Sequence, residues 1–110
     1  MTDFVQIMTT IDSKEAAQSI ARALVERRLA GCVQVIGPIS STYRWEGGIE
    51  SDEEWLCLIK SRLDFYHDVE TAIHELHTYD VPEILALPVI AGSGPYVHWL
   101  AAQIDSPEDS

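Results

Sequence analysis

Residues 32–61 read CVQVIGPISSTYRWEGGIESDEEWLCLIKS, and this stretch decides the fold. Cys32 to Ile36 is an apolar run, broken at Gly37-Pro38 and resumed from Ser40 to Glu46. Gly and Pro inside a strand mark a bend or bulge, because one packs no side chain and the other donates no ladder hydrogen bond. Gly47-Gly48 then predicts a two-residue hairpin turn, where glycine takes positive φ without steric cost. The return strand covers Ile49 to Lys60, with Trp55, Cys57 and Ile59 on one face and Leu56 and Leu58 on the other. At ~3.3 Å per residue its roughly 12 residues span about 40 Å, whereas a compact chain of this size has a radius of gyration near 13 Å. Such a hairpin either curls over its own sheet or projects beyond the body. Projection exposes Tyr43, Trp45, Ile49 and Trp55 together with unpaired strand edges, and pairing with another copy of the chain covers both. The favoured expectation is a closed homo-oligomer, whose subunit number local sequence does not set.

Outward from the hairpin, the pattern changes period. Upstream, Phe4 to Met8 reads as a strand, followed by a helix start at Asp12-Ser13-Lys14-Glu15, with Asp12 as the cap and Glu15 reaching back. Ala17, Ile20, Ala21, Leu24 and Val25 recur at helical spacing, Arg27 and Arg28 suit the negative helix end, and Gly31 is the expected terminator. Downstream, Asp64 opens a second helix whose stripe is Phe65, Val69, Ala72, Ile73 and Leu76. After a loop over Thr78-Tyr79-Asp80-Val81-Pro82, Glu83 to Ile90 reads as a fourth strand covered on both faces, with Pro88 at an edge or end. Gly94-Pro95 begins a short last helix through Ile104. The order is βαββαβ plus a helix, which predicts an α+β, ferredoxin-like domain over residues 1–104 with an acidic flexible tail at 105–110.

Composition narrows the partners. Hydrophobic residues are 46% and charged residues 23% of the 110, as in a folded soluble protein. Seven Lys and Arg against eighteen Asp and Glu give a net charge of −11, which repels phosphate backbones and anionic membranes and concentrates cations. No stretch approaches the ~20 apolar residues of a membrane span, and Met1-Thr2-Asp3 runs directly into a strand with no signal-peptide pattern. Cys32 and Cys57 lie in apolar runs without zinc-ligand spacing, so both are expected buried and reduced, in keeping with a cytoplasmic setting.

The candidate chemistry is sparse. His77 and Glu83 flank the loop after the second helix, and imidazole nitrogen with carboxylate oxygen suits Cu(II) or Zn(II). His77 can equally cap that helix. His67, Glu70 and His74 share one helical face, either as a loose cation site or as its solvated side. Arg44 and Lys60 could hold an anionic ligand in a cleft between subunits, or pair with Glu46, Glu50 or Glu53 across the hairpin. Tyr43, Trp45, Tyr79 and Trp99 are expected at an interface or lining such a cleft. Neither a nucleophile elbow nor a phosphate-cradling glycine loop is present; Gly92-Ser93-Gly94-Pro95 has the spacing of neither.

Several segments together resemble the CutA divalent-cation tolerance family: Leu29-Ala30-Gly31-Cys32-Val33, Ser41-Thr42-Tyr43-Arg44-Trp45-Glu46-Gly47, Leu58-Ile59-Lys60-Ser61, Leu76-His77-Thr78-Tyr79-Asp80-Val81-Pro82-Glu83-Ile84 and Tyr96-Val97-His98-Trp99-Leu100. The resemblance runs from Phe4 to about Ile104 and implies a ferredoxin-like protomer, a tight homotrimer joined through long hairpins, a bacterial cytoplasmic setting and architectural kinship with the PII signalling proteins. It also implies a link to tolerance of copper and other divalent cations, without an established reaction. Copper-binding members are associated with a Cys where this chain has Met8, expected here as a core filler, and with a His in the loop that matches His77. A non-enzymatic binding trimer is therefore expected. An enzyme using His77, Tyr79 or Glu83 for proton transfer in inter-subunit clefts and a structural or signalling trimer scaffold are the alternatives.

Overall fold

The computed structural model describes residues 3–105, so the tail expected at 105–110 lies outside the described residues beyond Asp105. Its elements are β1 (Phe4–Ile11), α1 (Lys14–Glu26), β2 (Cys32–Trp45), β3 (Gly48–Arg62), a 3₁₀ turn (Leu63–Phe65), α2 (Tyr66–Leu76), β4 (Leu85–Pro88) and α3 (Gly94–Gln103). The strands form one antiparallel sheet in the order β2-β3-β1-β4. That is the split βαβ arrangement, in which each helix crosses over to a non-adjacent strand.

Strand alternation sorts the sheet into two faces. Ile7, Ile11, Cys57 and Ile59 meet Ala17, Ile20 and Leu24 of α1 and Val69 and Ile73 of α2 in one core. The Cys57 thiol donates to the Ala17 carbonyl at 3.8 Å, and burial pushes its pKa up to about 11. The opposite face has Gln6, Met8 and Thr10 of β1, Leu56, Leu58 and Lys60 of β3, Cys32, Gln34 and Ile36 of β2, and Leu85 and Leu87 of β4 in register. Met8 and Cys32 are thus half-buried on this outer face and outside the core, contrary to expectation, because their strand parity turns them away from the helices.

Local signals hold with four displacements. Ser13, not Asp12, caps α1: its extended backbone lets Oγ accept from Ala16 N–H at 3.2 Å. That helix ends before Gly31, with Arg28 in the left-handed region (φ 58) and the Arg28 and Leu29 amides bonded to Val25 and Leu24 carbonyls. This is a Schellman closure, and buried Leu24 and Leu29 supply its apolar contact. Gly31 serves packing instead, since a Cβ there would run into Leu100. In the hairpin the turn is Glu46-Gly47, both at positive φ (48 and 81), with Gly48 already paired to Trp45. β4 is a four-residue edge strand, exposed throughout, because it sits at the end of the sheet with β1 as its pairing neighbour.

The hairpin does project. β1 stops pairing at Ile11↔Trp55, while β2 and β3 continue as a two-stranded arm from Ile39↔Glu54 to Trp45↔Gly48. A bulge sets two residues, Gly37 and Pro38, against Trp55 at the root of the arm. The protomer accordingly measures 45 × 27 × 21 Å.

Candidate functional site

The titratable side chains gather where the arm leaves the sheet. The α2–β4 loop brings His77 and Tyr79, β1 brings the Thr10 carbonyl, and β3 brings Glu54 and Asp52. His77 is the C-cap of α2 through its backbone N–H, which bonds the Ile73 carbonyl at 2.8 Å. Its ring leaves the helix altogether. Nδ1 accepts from the Tyr79 amide at 3.0 Å, so the proton sits on Nε2, which donates to the Thr10 carbonyl at 2.7 Å. The Tyr79 ring lies against the imidazole with centroids 4.6 Å apart.

Tyr79 Oη donates to Glu54 Oε2 at 2.8 Å, and Glu54 is 8% exposed, the one buried carboxylate among the described residues. Burial raises the Tyr79 phenol above its ordinary range, reinforced by the Glu54 bond and the charges of Asp12 and Asp52. Next along the arm, Tyr43 donates to Asp52. That bond, with some burial and the Asp52, Glu50 and Glu54 charges, raises its pKa to about 12. The cluster is anionic, and both phenolic protons are already committed to it. Chemically it suits a cation or a hydrogen-bond donor from outside the protomer.

The other candidates are dispersed. Glu83 is exposed and shares no hydrogen bond or ion pair with His77. Lys60 donates to Gln34 at 2.6 Å rather than meeting a glutamate across the hairpin, and Arg44 has no ion pair among the described residues. Trp45 is exposed near the arm's tip, and Trp99 stacks obliquely on Tyr96 along α3. On α2, His74 approaches Glu70 at 3.9 Å while His67 meets the Tyr66 ring edge-on. A shallow groove of about 530 Å³ between α1 and β2 is lined by Ala21, Arg22, Val25, Val33 and Val35.

Among the described residues no three His, Cys, Asp or Glu side chains converge as a metal set. His77 has both nitrogens engaged, and a metal would have to displace one of those bonds. Met8 offers only a thioether on the outer sheet face. Within one protomer these donors do not fit a copper or zinc centre. Glu54 and Asp52, missed as site residues, stand in a stretch with four acids, Glu50-Ser51-Asp52-Glu53-Glu54, where only the register shows that Glu50, Asp52 and Glu54 share a side.

Sheet order, two helices on one face and a projecting hairpin define a ferredoxin-like α+β protein with an anionic cluster at the arm's root. The profile of the CutA1 divalent ion tolerance protein family matches residues 5–103. This chain belongs to the CutA divalent-cation tolerance family. It is 42% identical over 94 residues to the divalent-cation tolerance protein CutA of Thermus thermophilus, covering 86% of this chain and 91% of that protein. The chain spans 52% of the chloroplastic CutA of Arabidopsis thaliana, at 38% identity. The crystal structure of CutA1 from Oryza sativa superposes with a TM-score of 0.92 at 33% identity, covering 94% of this chain and 95% of that one. The Cut A1 structure from Thermus thermophilus gives 0.90 at 38% identity, covering 93% and 99%.

Proposed function

We propose that this protein acts without catalysis as a cytoplasmic homotrimer that takes up a divalent cation or a small ligand in clefts between its copies. The observation that carries this reading is the outer sheet face. Met8, Ile36, Leu56, Leu58, Leu85 and Leu87 share the side of the sheet turned away from the α1 and α2 core, and Leu85 and Leu87 are 57% and 50% exposed. A contiguous apolar face of this kind marks an interaction surface. Its two open edges, β2 and β4, differ, so copies joining edge to edge make a head-to-tail contact that a ring closes. The arm's root then lies beside a neighbour, where its carboxylates favour cations over anions. Relatives named as divalent-cation tolerance proteins agree with that sign of charge. Free Cys32 and Cys57 suit a reducing compartment.

Sedimentation of the purified protein should return three times the protomer mass, and cell fractionation should place it in the cytoplasm. Calorimetric titration with Cu(II), Zn(II) and Ni(II) should show saturable binding that weakens at least tenfold in His77→Ala and less in Glu83→Gln. A monomer at micromolar concentration removes the assembly. Identical isotherms for wild type and His77→Ala remove His77 from the site.

A further inference from the structure

Away from the arm, imidazole and carboxylate also meet on α2. Its residues include three acids, Asp68, Glu70 and Glu75, and two histidines, His67 and His74, with no Lys or Arg among them. Val69, Ala72 and Ile73 hold the opposite face of the helix in the core, which fixes the direction of the polar face. His74 Nε2 lies 3.9 Å from Glu70 Oε2 of the preceding turn, and the two side chains are 52% and 37% exposed. Burial, followed by a hydrogen bond to Glu70, raises the half-buried Tyr66 phenol above its ordinary range, so Tyr66 donates to that carboxylate and orients it. Glu75 pairs instead with Arg27 at 3.6 Å, and His67 sets its ring edge-on to Tyr66 with centroids 5.7 Å apart.

At 3.9 Å the Glu70–His74 pair is too far apart for a hydrogen bond. A divalent ion bonded to both atoms sets them about 3 to 3.4 Å apart, so closing these two exposed side chains by about half an ångström admits one. Donors four residues apart on a helix are the spacing of helix-borne zinc ligands. We propose that Glu70 and His74 form a solvent-facing chelate for a borderline divalent cation, with Cu(II) held most tightly. Among the described residues no third His, Cys, Asp or Glu joins them, so water completes the coordination and the ion exchanges readily. The pair sits on the helix layer, across the sheet from the bare leucines, and needs neither a second copy nor the arm's root.

Calorimetric titration with Cu(II) in a His77→Ala background tests this. One ion per protomer should still bind, and adding His74→Ala or Glu70→Gln should weaken it about tenfold or more, whereas adding His67→Ala should cost less than about twofold. Ni(II) and Zn(II) should bind more weakly than Cu(II), and Mg(II), which prefers oxygen donors, should not compete. Circular dichroism establishes that the variants keep their helices. In the wild-type protein with isotope-labelled histidine, substoichiometric Cu(II) should broaden the His74 ring signals before those of His67 and His98. A His74→Ala isotherm identical to its parent, equal competition by Mg(II), or uniform broadening of the histidines overturns the chelate and leaves the role of His77 standing. Loss of binding in His77→Ala that leaves His74 broadening intact bears on the arm's root alone and supports two separate sites.

Discussion

Along the arm two tyrosines give their protons to carboxylates, and the alkaline titration follows from that. The Tyr43 hydroxyl, held by Asp52, ionises at about 12 instead of 10.0. A pKa raised on folding means that the native state keeps its proton longer than the unfolded one. The contribution is therefore complete below pH 10 and is lost as pH rises through 12. Absorbance titration of native protein should show tyrosinate appearing late compared with protein in denaturant. Asp52→Asn should move one tyrosine back towards 10, and an unchanged curve would refute the assigned bond. His77 stands out in sequence as an imidazole flanking a Pro-containing loop and Tyr79 as an aromatic within it, whereas Glu54 does not. Its burial follows from being even-numbered on β3 at the point where Tyr79 arrives, and parity is fixed only by the bulge and the turn.

At the scale of elements, α1 shows how a helix stops without glycine. Arg28 takes the left-handed conformation and is held there by bonds at both ends: its guanidinium donates to the Ala102 carbonyl at 2.8 Å, and its own carbonyl accepts from Asp105 N–H at 2.9 Å. Replacing it separates two effects. Arg28→Ala keeps the conformational strain and loses the side-chain bond, while Arg28→Gly loses the bond but relieves the strain. The glycine variant should be the more stable of the two by about 1 kcal/mol in denaturant melts, and equal stabilities would contradict the left-handed assignment. The order of strands and helices was legible because hydrophobic period switches cleanly between Gln34 and Leu76. What was not legible depends on closure by distant groups. Gly31 looked like a stop until Leu100 was seen against it, the turn fell one residue early at Glu46, and β4 looked like a covered strand because its apolar run faces the outside of the protomer.

Across the whole molecule, only one side of the sheet is roofed by α1 and α2. Leu85 and Leu87 make the consequence measurable because they are exposed in the protomer and form no part of its core. The double variant Leu85→Asp, Leu87→Asp should leave helix content intact and shift protomer stability by only about 0.5 kcal/mol per site, while abolishing self-association in light scattering. Retained association would place the contact elsewhere. A half-roofed sheet also ties the thermodynamics to abundance. On the proposed assembly, copies that cover the bare leucines would add binding energy to folding energy, and the melting temperature would climb with protein concentration. Two samples differing in dose would then, in that sense, be different molecules under heat.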